Sequence, residues 1–126
     1  MNYLKSYFDH MFNSQGRISR NDFWMTMLWV ILFSFGVNII LGIVSSMIGK
    51  VVKLPTLMYI VVTTISVIML FSTISMQIRR LHDTGKSTLF IFFNLIPIIG
   101  QFIVIYFYCL PGDVNANDYG YPESVN

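Results

Sequence analysis

The polar side chains best suited to chemistry lie in one stretch, residues 79–87, which reads Arg-Arg-Leu-His-Asp-Thr-Gly-Lys-Ser. On a helix, Arg79 would share a face with His82 and Asp83, which follow it at three and four positions. Arg80 and Asp83, three apart, can also pair. Guanidinium groups match the geometry of phosphate oxygens. The stretch therefore predicts either an anion-binding site or an internal cluster of ion pairs.

His82 and Asp83 are also the pair that could transfer protons in catalysis. Nucleophilic catalysis needs a nucleophile, a base and an orienting group in placed roles. The sequence offers no Ser or Cys at a useful spacing from these two residues. We therefore predict that the protein is not an enzyme and has no catalytic residues. A membrane-embedded enzyme that uses His82 and Asp83 is the weakest alternative.

Three further features do not meet the requirements of a phosphate-binding or metal-binding site. Residues 85–87 match the end of a phosphate-binding P-loop, but position 80 is Arg rather than Gly and no strand precedes it. Residues 113–124 begin like a calcium loop but carry Asp118 and Ser124 where Gly and Glu are required. Cys109, the single cysteine, has no Cys or His at metal-ligand spacing. The sequence predicts no metal, no cofactor and no nucleic-acid partner.

The composition is that of a membrane protein. Charged residues make up 11% of the 126 residues, against roughly 25% in soluble domains. Three stretches carry no charge at all, at 23–49, 54–78 and 87–112. Each is longer than the ~20 apolar residues that cross a bilayer as a helix. We predict an all-α, polytopic membrane protein, a single domain built as a bundle of three transmembrane helices.

The predicted elements follow from these stretches. An apolar stripe at spacings of three and four predicts a short N-terminal helix over about 2–13, lying at the membrane interface or packed on the protein's own loop. The spans are predicted over about 20–48, 56–80 and 87–110, and a polar tail over 111–126.

Helix ends and a kink can be read from individual residues. Ser19 and Asp22 fit a capping box that begins the first span. Gly85 is a left-handed terminator for the second span. Pro97 removes one backbone hydrogen bond and predicts a kink in the third span, close to Gly100.

The distribution of Lys and Arg predicts the topology. With three spans, the N-terminal segment and the loop between spans two and three share a side and carry six basic residues, against two in the other loop. The positive-inside rule places that side in the cytoplasm, and the acidic tail outside. The predicted inner cluster comprises Arg17, Arg20, Arg79, Arg80, His82, Asp83 and Lys86.

Four blocks of the sequence carry a family resemblance. They are residues 16–24 (Gly-Arg-Ile-Ser-Arg-Asn-Asp-Phe-Trp), 80–87, 96–100 (Ile-Pro-Ile-Ile-Gly) and 111–120, from Pro-Gly to Asn-Asp-Tyr-Gly. In this order they resemble the domain of unknown function 805 family, the YhaH-like small bacterial inner-membrane proteins. The resemblance implies a multi-pass protein of the bacterial inner membrane, with the first two blocks belonging together. It implies no activity.

Three function classes remain at this stage. The first is a non-enzymatic binding or accessory protein that engages a partner protein or anionic lipid through the inner cluster. The second is a small oligomeric channel or transport subunit, favoured by the hydroxyl-rich second span. The third is the enzyme discussed above. The expected partners are membrane lipids and either further copies of the chain or a larger membrane protein.

Overall fold

The computed structural model describes residues 2–48 and 54–122, and all regular secondary structure in these ranges is helical, with no β-strand. The elements are α1 (Asn2–Asp9), α2 (Arg20–Ile48), α3 (Leu54–Asp83), the 3₁₀ helix η1 (Thr88–Leu95) and α4 (Ile99–Cys109). The predicted outer loop, with Lys50 and Lys53, falls outside the described residues. The all-helical prediction is confirmed for the part of the chain that the structure describes.

α2 and α3 are the two helices long and apolar enough to cross a membrane among the described residues, over Arg20–Met47 and Thr56–Asp83. Each is about 40 Å long at 1.5 Å per residue, more than the ~30 Å of hydrocarbon. None of the most apolar part of α2 and only 6% of that of α3 is buried inside the chain. Their surfaces are therefore suited to contact lipid.

The polar ends of both helices are capped by residues that the sequence singled out, although Asp22 bonds the Ser19 hydroxyl rather than the backbone N–H of a standard capping box. The backbone N–H of Asp22 donates to Ser19 Oγ (3.1 Å), while the Ser19 hydroxyl donates back to the Asp22 carboxylate (2.8 Å). At the end of α3, Gly85 has φ +66°. The N–H groups of Gly85 and Lys86 donate to the carbonyls of His82 (3.1 Å) and Leu81 (2.9 Å), which is a Schellman motif.

The prediction of one continuous third span over 87–110 is wrong. The segment instead forms η1, of 8 residues, and α4, of 11 residues. At about 2.0 Å per residue for a 3₁₀ helix and 1.5 Å for an α-helix, each is only about 16 Å long. Neither can cross ~30 Å of hydrocarbon. The two form a hairpin, and we call residues 88–109 the short hairpin.

The chain reverses where a kink was predicted, around Pro97. Ile98 has φ +64°, in the region that side-chain-bearing residues rarely adopt. Gly100 packs so closely on the carbonyl oxygen of Phe93 that a Cβ atom there would overlap it. Pro97, Ile98 and Gly100 therefore reverse the direction of the chain, where a kink within one helix was predicted.

The reversal changes the predicted relation between the two ends of the chain. Because the short hairpin begins and ends beside the C-terminus of α3, the tail after α4 returns to that same end. The N–H of Asp113 donates to the carbonyl of Asp83 (2.8 Å), and Arg17 donates to the carbonyl of Asn115 (2.8 Å). The N-terminal segment and the tail therefore lie at the same end of the helix pair, whereas the sequence predicted opposite sides of the membrane; the side on which each lies stays a prediction.

The protein's core lies at this shared end, which we call the polar end. Its buried apolar side chains are Tyr7, Ile18, Phe23, Met76, Leu81, Val104 and Tyr108. Packed with them are the buried polar side chains Arg17, Thr26, Ser72, Arg79, Arg80, His82, Asp83 and Thr84. Every element except the far halves of α2 and α3 therefore meets in one polar and apolar core.

Candidate functional site

Arg17 lies in the loop before α2, and its guanidinium is enclosed by acceptors from two other parts of the chain, the end of α3 and the tail. Nε donates to Asp83 Oδ1 (2.9 Å). One terminal nitrogen donates to the carbonyls of Asn115 (2.8 Å) and Gly120 (3.1 Å). The other donates to the carbonyls of Asp83 (3.3 Å) and Asp113. This single side chain ties the N-terminal loop to α3 and the tail.

Arg80 joins the C-terminal end of α4 to α3, as Arg17 joins the tail to α3. Its Nε donates to the carbonyl of Tyr108 (3.1 Å) and a terminal nitrogen donates to that of Leu110. The last carbonyls of a helix have no partner within the helix, and a cation is favoured at this end of the dipole. The remaining terminal nitrogen pairs with Asp83 Oδ2 and donates to the carbonyl of Ile18 (3.3 Å). Arg80 therefore caps α4 and joins it to the start of α2.

Asp83 is the acidic centre of this cluster. One carboxylate oxygen accepts from Arg17 and the other from Arg80. Gly112 packs against the same carboxylate, in a position where a Cβ atom would overlap it. Arg79 completes the cluster by donating to the carbonyl of Arg17 (3.0 Å) and to the Ser6 hydroxyl of α1 (3.4 Å).

His82 holds the tail from the other side. Its ring stacks on that of Tyr119, with centroids 3.8 Å apart and planes 2° from parallel. Its Nε2 lies 2.9 Å from the Thr88 hydroxyl, and its backbone carbonyl accepts from the Asn117 amide (2.9 Å). The histidine therefore connects α3, η1 and the tail.

Of the seven predicted cluster residues, the structure brings together Arg17, Arg79, Arg80, His82 and Asp83, all of them buried. Arg20 and Lys86 lie outside this group. The Arg20 side chain is exposed and reaches the carbonyl of Cys109 (3.5 Å). The Lys86 ammonium lies 5.8 Å from the centre of the Phe107 ring. These two cations flank the last turn of α4, and we call them the rim cations.

Sequence reasoning missed the contribution of the tail to this site. Gly112, Asn117 and Tyr119 all contact the Arg80–Asp83 region. The one sequence feature that marks these residues is the family-resemblance block 111–120, and no contact with the cluster was predicted for it. No metal centre is evident, since no three His, Cys, Asp or Glu side chains converge within residues 2–48 and 54–122.

Four of the five buried cluster residues, Arg17, Arg80, His82 and Asp83, lie in the sequence blocks 16–24 and 80–87 that carry the family resemblance. The model for the "Protein of unknown function (DUF805)" family matches residues 11–121. The chain belongs to the DUF805 family. The match covers all of α2, α3, the short hairpin and the tail up to Tyr121, so the polar cluster is built wholly from the DUF805 region.

Curated DUF805 relatives agree with this assignment. The chain is 33% identical over 106 residues to "Inner membrane protein YhaH" of Escherichia coli (strain K12), covering 84% of this chain and 83% of that protein. It is 28% identical over 105 residues to "Inner membrane protein YhaI" of the same strain, covering 83% and 80%. No solved structure matches the chain.

Proposed function

We propose that the protein is a non-enzymatic protein of the bacterial inner membrane whose polar end binds anionic lipid headgroups through the rim cations, Arg20 and Lys86. The two Escherichia coli relatives are named inner membrane proteins, which supports this location. The positive-inside rule favours a cytoplasmic polar end, because the basic residues of the N-terminal segment and of the α3–η1 loop lie there. In this arrangement the N-terminal segment and the tail are both cytoplasmic.

One observation favours the rim cations over the buried arginines as the groups that bind a lipid phosphate. The guanidinium groups of Arg17 and Arg80 already donate to Asp83 and to backbone carbonyls of the chain itself. A phosphate would have to displace those acceptors. Arg20 and Lys86 instead stand at the surface beside the end of α4. A cation near an anionic membrane surface contributes about 1 kcal/mol to binding.

The same contacts weigh against the enzyme hypothesis. A general base needs an accessible lone pair aimed at substrate, whereas both oxygens of Asp83 accept from arginines and Gly112 closes over them. His82 is buried between Tyr119 and Thr88. These residues are better suited to hold the fold together than to react.

The contacts of the hydroxyl groups likewise weigh against a channel. Thr64 and Thr73 donate to the carbonyls of Ile60 (2.9 Å) and Met69 (2.8 Å), four positions earlier on their own helix. Such bonds satisfy the hydroxyl within a single helix. We therefore place the channel second to lipid binding.

The test is lipid retention, measured by native mass spectrometry on protein released from vesicles of phosphatidylcholine with a minor fraction of phosphatidylglycerol. Arg20→Gln combined with Lys86→Gln is expected to reduce retained phosphatidylglycerol several-fold relative to the unmodified chain. Lys5→Gln is the matched control, since Lys5 is an exposed cation on α1. Equal losses from both variants would mean general attraction rather than a rim site. A second protein recovered only with the intact rim would assign the site to a protein partner instead.

A further inference from the structure

Two contacts set the direction in which the short hairpin runs along α3. At its start, the Thr88 hydroxyl lies 2.9 Å from Nε2 of His82. Two turns further along η1, the side chain of Asn94 donates to that of Gln77 (3.2 Å). As η1 advances, its partner on α3 therefore moves back from residue 82 to residue 77, away from the polar end. The hairpin runs beside α3 rather than out from the end of the bundle.

The second half of the hairpin brings the chain back to the polar end. At the reversal, Gly100 packs against the carbonyl oxygen of Phe93. At the other end of α4, the Tyr108 ring contacts that of Phe23 with centroids 4.7 Å apart, and the Tyr108 carbonyl accepts from Arg80 (3.1 Å). Since Phe23 lies in the first turn of α2 and Arg80 in the last turn of α3, α4 ends at the level where η1 began.

The depth of the reversal matches the thickness of one leaflet. Gln77 lies six residues before the end of α3, which is about 9 Å at 1.5 Å per residue. The chain from Asn94 to Pro97 adds at most about 6 Å. The reversal therefore lies no more than about 15 Å from the end of α3, and one leaflet contributes about 15 Å to the hydrocarbon core.

The outer face of the hairpin is apolar and open. Its large apolar side chains, each more than half exposed, occur on η1, at the reversal and on α4: Leu89, Phe92, Leu95, Ile98, Ile99 and Phe102. None of the residues 88–109 is charged. A contiguous apolar surface of this kind marks a site of contact with a membrane or with another protein.

The polar side chains of the hairpin distinguish between these two partners. Five side chains in residues 88–108 are polar. Thr88 and Asn94 bond to α3 as described above, and Gln101 donates to the carbonyl of Asn94 (3.0 Å). Tyr106 and Tyr108 lie in the last turn of α4, at the level of the polar end. Near the reversal the two amide side chains thus find partners within the chain, as polar groups in hydrocarbon must.

Backbone groups at the reversal are bonded in the same way. The N–H of Ile96 donates to the carbonyl of Phe93 (3.0 Å), and the N–H of Phe102 to that of Ile98 (3.2 Å). Pro97 has no N–H to satisfy. Irregular backbone is tolerated at membrane depth only where its polar groups are satisfied without lipid. These bonds fit the reversal to the middle of a bilayer.

From these observations we propose that the short hairpin is a re-entrant element whose outer face binds acyl chains of one leaflet. It enters the hydrocarbon from the polar end, reverses near the middle of the bilayer and leaves through the same surface. The occupant of the exposed face is therefore lipid hydrocarbon of the leaflet at the polar end. This goes beyond the proposed function, which concerns headgroups and depends on the rim cations.

Two leucines of η1 provide a matched pair for measuring depth. Leu89 is 69% exposed and Leu95 is 76% exposed, so tryptophan at either position leaves the core unchanged. They are six residues apart, which is about 12 Å in a 3₁₀ helix. Leu89 lies near the polar end and Leu95 near the reversal. Trp24→Phe with Trp29→Phe removes the two native tryptophans, and circular dichroism checks that each variant keeps its helical content.

The experiment measures fluorescence quenching of the full chain in phosphatidylcholine vesicles whose acyl chains are brominated either near the headgroup or near the methyl end. We expect the deep bromines to quench Leu95→Trp about twofold more than Leu89→Trp, and the shallow bromines to reverse this order, because ~12 Å is most of one ~15 Å leaflet. Val114→Trp is the control, since Val114 is 88% exposed but lies in the tail. Neither bromine position should quench it.

Two quenching results would overturn the proposal. Equal quenching of Leu89→Trp and Leu95→Trp by the shallow bromines alone would show a hairpin that lies flat on the membrane surface. Quenching of neither variant would show that protein covers the face, and cross-linking would then identify a second copy of the chain or another protein as its occupant.

A continuous third span would also place residue 95 deep in the membrane, so a second measurement separates the two arrangements. Cys109 is an exposed cysteine at the end of α4. In a re-entrant hairpin it should react with a membrane-impermeant maleimide from the same side as Asn13→Cys in a Cys109→Ser chain. Reaction from the opposite side would overturn the proposal. Arg20→Gln with Lys86→Gln should leave the quenching pattern unchanged, so failure of the rim site and failure of re-entry are distinguishable.

Discussion

The Nε atom of Arg17 lies 2.9 Å from Oδ1 of Asp83, a residue 66 positions later in the chain. Both side chains are almost fully buried, with 0% and 6% of their surface exposed. The pair closes the loop before α2 onto the end of α3, and the carbonyls of the tail complete the coordination of the guanidinium. A contact between residues so distant in sequence makes this cluster a fold-determining feature, and the first prediction concerns its energy.

Arg17→Gln should destabilise the protein strongly. Removing the Arg17 guanidinium leaves Asp83 Oδ1 and the tail carbonyls without their donor, while Arg80 still pairs with Oδ2. Breaking a buried ion pair costs up to about 3–5 kcal/mol. The loss can be measured as a lower free energy of unfolding in mixed micelles titrated with denaturing detergent. Arg20→Gln removes the same charge from an exposed side chain and should cost at most about 1 kcal/mol. Equal stabilities for the two variants would contradict the buried role of Arg17.

Gly112→Ala should also destabilise the protein, although it adds only a methyl group. The new Cβ atom would overlap the Asp83 carboxylate, so the tail or the ion pairs must shift. Overpacking of this kind typically costs about 1–3 kcal/mol. Gly36→Ala is the control, since its Cβ atom meets nothing within 4 Å, and a helical glycine replaced by alanine should be neutral or stabilising. A Gly112→Ala chain as stable as Gly36→Ala would contradict the close approach.

Tyr119→Ala should release the tail from the polar end. The stacked His82–Tyr119 rings contribute about 0.5–1.5 kcal/mol beyond the area that they bury, so the detached state becomes several times more populated. Limited proteolysis, followed by mass spectrometry of the C-terminal fragment, should show faster cleavage between residues 110 and 119. Tyr119→Phe keeps the ring and should be cleaved at the rate of the unmodified chain. Rapid cleavage of both variants would mean that the hydroxyl, rather than the stacking, holds the tail.

The short hairpin predicts a topology that cysteine labelling can test. In a Cys109→Ser background, Asn13→Cys and Val114→Cys should react with a membrane-impermeant maleimide from the same side of the membrane, since both positions lie at the polar end. Lys50→Cys should react from the other side. The positive-inside rule predicts that residues 13 and 114 are cytoplasmic. Labelling of residues 13 and 114 from opposite sides would restore a three-span arrangement.

The sequence predicted some of these features well because their signals are local. The apolar lengths of α2 and α3, the Ser19–Asp22 cap and the left-handed Gly85 each depend on neighbouring residues and on rules that hold for most helices. Charge distribution and family order predicted that Arg17 and the 79–83 stretch share one side of the membrane, but not that they touch. The distances and partners required the structure, because they depend on how four separate segments pack.

The third span shows where local reasoning failed. Residues 87–112 pass the length and hydropathy test for a span, and a proline in a membrane helix commonly produces only a kink. The reversal depends on Ile98 adopting a positive φ and on Gly100 accepting the Phe93 carbonyl. Neither is visible in composition. The predicted side of the tail depends on the same question, because it was derived from the number of crossings.

The half-length of the hairpin also has a mechanical consequence. In the proposed arrangement, the protein displaces lipid around the polar end with α2, α3, η1 and α4, while in the opposite leaflet α2 and α3 are the only elements among residues 2–48 and 54–122. Its cross-section is therefore that of a wedge, and a wedge is accommodated with less elastic strain where the leaflet that holds its broad end is expanded relative to the other.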